Sequence, residues 1–340
     1  MSQIVALQKA KLPTIEEVSA AAELVYSFMR PTPQYCWPLL RERLGTEVWV
    51  KHENYTPIGA FKARTAAVYV DELMKREPRT RGLITATRGN HGQSVALAAK
   101  RFGLPATVLV PHGNSREKNA AMRAHGATLI EFGEDYQASR EKAVAIAEEQ
   151  GLHMVPPFHY DIIKGVATYW MELFSSVQDI DVAYVPIGMG SGICAGCAVR
   201  NGLGLRTKMI GVVSEHAPCY AESFVARQPI EAAATTRVAD GVACRKPDEG
   251  ALAIMLDNID HIVRVSDDEV EAAMCAMFAD AHCVVEGAGA ASLAAALKEK
   301  DAQQGKRVAL VASGGNVDRD VYARILARTG DSAPCPTAAP

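Results

Sequence analysis

The chain lacks any run of eighteen or more apolar residues, so its hydropathy offers no membrane-spanning helix. It also lacks a dense basic cluster. Thirty-six Lys plus Arg stand against 39 Asp plus Glu, a net charge of −3, which leaves binding to a nucleic-acid backbone without an electrostatic footprint. The opening MSQIVALQKAKLPTIEEV lacks the charge-then-apolar order of a signal peptide, and a cytoplasmic location is the expectation. No G-K-[ST] follows a glycine-rich turn, so P-loop nucleotide hydrolysis finds no support. Eight cysteines are present, but without an export signal they read as reduced, buried thiols. Cys194 and Cys197 form C-x-x-C among small apolar residues that read as a helix start. No second ligand pair stands nearby, which argues against a metal or redox role.

What is present is the composition of a globular protein. The 340 residues are 49% hydrophobic and 22% charged, enough for a sizeable core and for two domains or one large α/β unit. From about residue 80, short apolar β-rich runs alternate with helical stretches, the signature of parallel βαβ units. GLITAT, ATVLVP, TLIEF and HMVPPF are the strand candidates of a first series; DVAYVPI, KMIGVVS, HIVRV and RVALVAS belong to a second. The N-terminal part adds the strand TEVWVKHE and the amphipathic helix FKARTAAVYVDELMKR, expected to pack with the second series. The expected organisation is a large domain of residues 1–79 plus 161–325, an inserted small domain of 80–160, and a Pro- and Ala-rich flexible tail of 326–340. The fold class is α/β, with two doubly wound parallel-sheet domains.

In open parallel sheets ligands bind outside the carboxyl ends of the strands, so the strand-to-helix turns are the places to look. GMGSG, Gly188 to Gly192, follows an apolar strand and precedes a helix. Glycines let the backbone approach an anion and the helix start supplies free N–H groups, so the turn suits a phosphate; a tight βα connection alone can also want glycine. It lacks the third glycine of G-x-G-x-x-G, although Glu215 stands about where a dinucleotide fold has its acid, so a nicotinamide oxidoreductase stays open as a minor alternative. TATRGNHGQS offers Gly89, Asn90 and Gly92 as a loop for a carboxylate or as an ordinary helix entry. ASGGNVD places Ser313 at the end of a strand. Lys62, in PIGAFKARTAA, is either a solvated helix lysine or a desolvated amine able to form a Schiff base.

Together, G-A-F-K-A-R, G-N-H-G-Q, the glycine-rich turn and S-G-G-N, in that order over roughly residues 20–325, resemble the fold type II pyridoxal phosphate enzymes, whose architecture is tryptophan synthase beta-like. The likeness is nearest to the serine and threonine dehydratase family, serine racemase group. The resemblance implies pyridoxal 5'-phosphate as cofactor, with Lys62 binding it through a Schiff base and then acting as base at Cα. It implies further cofactor contacts from Phe61, Asn90 at the ring hydroxyl, Ser313 at the pyridine nitrogen, Glu286 beside the ring, and Gly188, Met189, Gly190, Ser191 and Gly192 around the phosphate. Thr87, Arg88, Gly89, Asn90 and His91 match the loop that receives the substrate carboxylate. The implied activity is β-elimination from a β-hydroxy α-amino acid such as threonine, serine or 3-hydroxyaspartate, giving a 2-keto acid and ammonia, in a homodimer. A racemase or β-replacement enzyme of the same fold is the alternative, and a catalytically silent small-molecule binder lies outside the enzyme class.

The pattern departs at three places. Arg88 stands where relatives carry a small residue and where racemases place a second acid/base serine; its fork suits a second acidic group on the substrate, or else it turns outward or pairs with Glu286. The phosphate turn reads G-M-G-S-G instead of a run of glycines. Val213 and Cys219 fall where metal-activated relatives place carboxylates, so no divalent metal is expected there, with Glu215 only a weak shifted ligand. Side-chain selectivity is expected from loops around Arg88 and from His159 to Gly165.

Overall fold

The computed structural model describes residues 11–328. Ten strands lie among them: β1 (Gln34–Cys36), β2 (Glu47–Lys51), β3 (Leu83–Ala86), β4 (Ala106–Val110), β5 (Thr128–Glu131), β6 (His153–Met154), β7 (Val182–Pro186), β8 (Lys208–Ser214), β9 (His261–Val265) and β10 (Arg307–Val311). The helices are α1 (Ile15–Tyr26), α2 (Pro38–Leu44), α3 (Ala63–Arg76), α4 (Asn90–Arg101), α5 (Arg116–Ala124), α6 (Tyr136–Gln150) and α7 (Tyr160–Ser176). They continue with α8 (Ser191–Gly202), α9 (Cys219–Ala226), α10 (Glu249–Asn258), α11 (Asp267–Ala281), α12 (Gly287–Lys298) and α13 (Arg319–Arg328). The tail expected over 326–340 lies outside the described residues beyond Arg328.

The strands form two sheets. The larger runs β1-β2-β10-β7-β8-β9, parallel except for the edge strand β1; the smaller runs β5-β4-β3-β6, all parallel. A parallel sheet covered on both faces needs strands apolar on both sides, and the period of two sorts them. Val182 and Tyr184 of β7 join Leu40, Val48 and Leu293 on one face, whereas Ala183 and Val185 join Trp170, Ile193 and Met255 on the other. The second of these cores also takes in Leu83 and Val108 of the small sheet, so the two sheets share one interior. Cys194 and Cys197 are buried in α8, their thiols facing the carbonyls of Ala251 and Asn258, as buried free thiols.

α7, which the strand-and-helix reading of the sequence passed over, is the longest helix described and packs along α3. The His159–Gly165 stretch is therefore not a loop: His159 caps α7, accepting from the Asp161 N–H at 3.1 Å, and Gly165 lies on the α3 contact. A Cβ at Gly165 would overlap the Arg64 carbonyl oxygen, so glycine is what lets the two helices approach. Beneath that crossing lies a closed charge network. Arg64 and Lys51, both fully buried, pair with Glu53 and Glu172 at 2.5–2.8 Å, and the Thr32 hydroxyl donates to Glu53 at 2.5 Å.

Gly165→Ala is expected to destabilise the protein by about 1–3 kcal/mol through overpacking. Urea unfolding of the variant, with an unchanged midpoint, would remove this account of the α3–α7 contact.

Candidate active site

Three turns leave the carboxyl ends of strands and converge. After β10, Ser313 and Gly314 are stitched to the segment that leads into α3. Phe61 N–H donates to the Ser313 carbonyl at 2.9 Å, Gly315 N–H to that of Gly59 at 2.8 Å, and the Asn316 amide to that of Ile58 at 2.7 Å. This stitching sets Lys62, the residue just before α3, beside the β10 turn. From the small sheet, the turn after β3 brings Thr87 to Gly89, then Asn90 and His91 in the first turn of α4. Helix formation starts at Asn90, inside the segment expected as loop. Ser94 one turn later donates to the Lys62 carbonyl, tying α4 to the lysine backbone.

A side-chain chain then crosses between the sheets. The Asn316 amide donates to Asn90 Oδ1 at 2.8 Å, and the Asn90 amide donates to Glu286 Oε1 at 2.5 Å. Glu286, 3% exposed, stands at the N-terminus of α12 and its N–H donates to the Gly314 carbonyl at 3.0 Å. The turns carrying Lys62, Asn90, Glu286 and Ser313 are thus brought together as one crevice.

The fourth expected element, Gly188 to Gly192, runs from the end of β7 into α8. Gly190 has φ +92°, which an L side chain resists, and a Cβ at Gly188 would overlap the Gly241 carbonyl oxygen. Met189, the departure from an all-glycine run, is held by both its ends. Tyr220 donates to its carbonyl at 3.1 Å, and the Cys244 thiol lies 3.6 Å from its sulfur. Ser191 is buried at the start of α8.

Charges in the crevice are distributed unevenly. Lys62 Nζ has no hydrogen bond or ion pair among the described residues; it lies 5.1 Å from the centre of the Phe61 ring, and burial pulls its pKa down to about 8. His91 is buried, and desolvation, with help from the Lys62 charge, lowers its pKa to about 3, so the ring is neutral. Burial raises Glu286, and Lys118, which sequence reasoning did not single out, opposes that rise from 2.9 Å. Lys118 Nζ also meets Asp240 at 2.7 Å. The sequence held one signal for it: a cation in the first turn of a helix sits at the wrong end of the dipole unless something pairs with it. Arg88, in contrast, is exposed and makes no hydrogen bond or ion pair among the described residues, so the pairing with Glu286 is not formed. The Glu286 oxygens are taken by Asn90 and Lys118 instead. Among the described residues no group of three or more His, Cys, Asp or Glu is placed to hold a metal ion.

The sequence profile of the pyridoxal-phosphate dependent enzymes matches residues 25–314. The chain belongs to that family. It is 33% identical over 315 residues to an L-threonine ammonia-lyase of Thermotoga maritima, covering 92% of this chain and 78% of the relative. It is 32% identical to an L-threo-3-hydroxyaspartate ammonia-lyase of Saccharomyces cerevisiae, covering 94% of this chain and 98% of the relative. The solved structure of maize serine racemase superposes with a TM-score of 0.86 at 25% identity, over 94% of this chain and 98% of that one.

Pyridoxal phosphate is accordingly the cofactor of this family member, and the crevice fits it. An unpaired, partly buried amine lies beside the S-G-G-N turn. A glycine turn at a helix N-terminus forms a cradle too tight for a side chain at Gly188. In the turn that leads into α4, the buried His91 Nδ1 has no hydrogen-bond partner among the described residues.

The Lys62 shift carries a stability consequence. With a folded pKa near 8 and an ordinary value of 10.5, the unfolded chain holds more protons between those pH values, so stability at this position rises with pH through that window. Cofactor-free Lys62→Met is expected to unfold at higher urea than the unchanged protein at pH 7, and the gap is expected to narrow by pH 10. A gap that does not change with pH would contradict an unpaired, desolvated amine.

Proposed function

We propose that the chain is a dehydratase, an ammonia-lyase that converts a β-hydroxy α-amino acid such as threonine, serine or 3-hydroxyaspartate to a 2-keto acid and ammonia. The observation that carries this reading is Lys62: a desolvated amine with no salt-bridge partner among the described residues, set at the meeting of the three turns. The two ammonia-lyases at 32–33% identity support the reaction class.

Bound pyridoxal phosphate supplies an electron sink for charge that develops at Cα. Lys62 would hold it, with Phe61, the Asn90 amide at the ring hydroxyl, the Ser313 hydroxyl at the ring nitrogen, Glu286 beside the ring, and Gly188, Met189, Gly190, Ser191 and Gly192 at the phosphate. The Lys62 amine, with a pKa of about 8, has a neutral fraction at physiological pH and is the base that takes the Cα proton. Thr87, Gly89, Asn90 and His91 receive the α-carboxylate at the N-terminal end of α4, where the helix dipole favours an anion. The neutral ring of His91 lets that end of the site donate without adding a second fixed charge. Loss of the β-hydroxyl as water leaves an enamine, which after release tautomerises and hydrolyses to the keto acid and ammonia.

Arg88 bears on both specificity and reaction type. A guanidinium cannot serve as the second acid/base of a two-base racemase, which favours elimination over racemisation. Exposed and unpartnered beside Gly89, it is free to meet an acidic β-substituent, so 3-hydroxyaspartate is the substrate this reading favours. The reading keeps a large unit of 1–79 plus 161–325 and a small unit of 80–160, and the membership of the two sheets supports that division. A homodimer, which the family resemblance implies, and a cytoplasmic location complete the reading.

The test is keto acid and ammonia release from L-serine, L-threonine, 3-hydroxyaspartate stereoisomers and phenylserine with pyridoxal phosphate present. Release is expected, with loss of turnover and of the visible absorbance of the bound cofactor in Lys62→Ala. Arg88→Ala is expected to lower kcat/KM on hydroxyaspartate by about tenfold to a hundredfold relative to threonine, the scale of one charge-assisted hydrogen bond. Equal losses on both would refute the role of Arg88; no release from any member would refute the dehydratase.

A further inference from the structure

The mechanism above leaves Lys118 without a task, yet it is the most heavily engaged cation in the crevice. It belongs to α5, on the small-sheet side, and both its partners belong to the large-sheet side: Asp240 at 2.7 Å, in the turn Asp240–Val242, and Glu286 at 2.9 Å. Its side chain is 6% exposed and passes against Gly89, where any Cβ would overlap its methylenes. Asp240 precedes Gly241, whose carbonyl abuts Gly188 of the phosphate turn. One ammonium therefore touches the Asn90–Glu286 pair on one side and the support of the phosphate turn on the other.

The rest of the α5 start is fixed to the same side of the molecule. The carboxylate of Asp318, in the connection from β10 to α13, accepts from the Ser115 hydroxyl at 2.5 Å and from the Arg116 and Glu117 N–H groups at 3.3 and 3.2 Å. Glu117 returns the contact by accepting from Arg319 N–H at 3.0 Å. Asp318 thus acts as a cap for a helix that belongs to the other sheet, and it aims Lys118 into the crevice.

We propose that Lys118 is a positioning residue that keeps Glu286 ionised and turned to Asn90 by neutralising Glu286 and Asp240 together, so that seating of α5 on the large-sheet side and the charge state of the site are a single event. Rejoining the proposed reaction, this deepens the assignment of Glu286 beside the ring and rests on that reading. The charged groups that face Glu286 are Lys118 from α5 and Asp240 from its turn; α4 presents only the Asn90 amide and the β10 connection only backbone. Without Lys118, no facing cation opposes the burial and the neighbouring Asp240 charge that raise the pKa of Glu286. Glu286, at 3% exposure against 35% for Asp240, is the one that takes the proton. Burial works against the charge of Lys118, but Glu286 and then Asp240 more than offset it, and the lysine stays protonated.

The experiment compares the unchanged protein with Lys118→Met, Lys118→Arg and Asp240→Asn, first without cofactor and then loaded. A carboxyl whose folded pKa is raised lends stability at low pH and loses it as pH climbs through that pKa. Cofactor-free Lys118→Met is therefore expected to show a deficit in Tm that is larger at pH 8 than at pH 5.5, with Lys118→Arg restoring much of the difference. In the loaded enzymes, the acid limb of kcat is expected at higher pH in Lys118→Met and at lower pH in Asp240→Asn, where one repelling charge is gone. Pyridoxal phosphate affinity is expected to weaken at least tenfold in Lys118→Met. Stability deficits and rate losses that are uniform across pH would overturn the proposal, as would an unmoved acid limb in Asp240→Asn if Lys118→Met does not fold. The cofactor-free arm uses no substrate, so it fails or succeeds independently of the dehydratase reading.

Discussion

An amine that stays unpaired inside a protein needs every nearby carboxylate to be engaged elsewhere, and that constraint organises this molecule. Beneath the α3–α7 crossing, Glu53 and Glu172 are held by Arg64 and Lys51; in the crevice, Glu286 and Asp240 are held by Lys118. The first set balances its own charge and the second gathers two carboxylates on one cation; among the described residues Lys62 makes a salt bridge with neither, and burial lowers its pKa. A buried pair is weak evidence for stability, but removing one member leaves an uncompensated charge. Arg64 follows Lys62 by two residues, so one short segment carries both the unpaired amine and the cation that engages Glu53 and Glu172.

The crevice itself follows from topology. Parallel strands deliver their carboxyl ends to one side, and the turns after β3, β7 and β10 open there. Backbone ties rather than side chains do the first joining: Phe61 to Ser313, Gly315 to Gly59, Glu286 to Gly314. Glycine is required where these backbones approach, as at Gly289, whose Cβ would overlap the Gly314 carbonyl, and at Gly314, whose Cβ would overlap Glu286. The G-A-G and S-G-G spellings are therefore consequences of close packing, and the polar side chains that cross between the sheets are placed by it.

Much of this was legible before any coordinates. Strands such as β7 announce themselves because residues on both faces must be apolar, and turns at strand ends announce themselves through glycine. The order of four short motifs pointed to Lys62, Asn90, the Gly188–Gly192 turn and Ser313, and the family resemblance pointed to Glu286. What escaped is instructive. α7 begins at a histidine cap and is buried along most of its length, and its start was read as loop. Lys118 escaped because its partners lie more than a hundred residues away, and its place in the first turn of a helix is the one local sign that something pairs with it. The solvent exposure of Arg88 is likewise decided by the packing around it, not by its neighbours in the chain.

The placement of β2 against β10 also governs how the protein comes into being. Arg307 and Glu47, partners in that pairing, are 260 residues apart, and the entire small sheet is encoded between them. As the chain emerges during synthesis, β3 to β6 are complete long before the centre of the large sheet is, and they can pair among themselves while β2 waits with one edge bare. Closing the large sheet is a late, long-range event with a high loop-closure cost, the kind of contact that slows folding. A chain released short of residue 307 would therefore lack not an edge strand but the middle of its sheet.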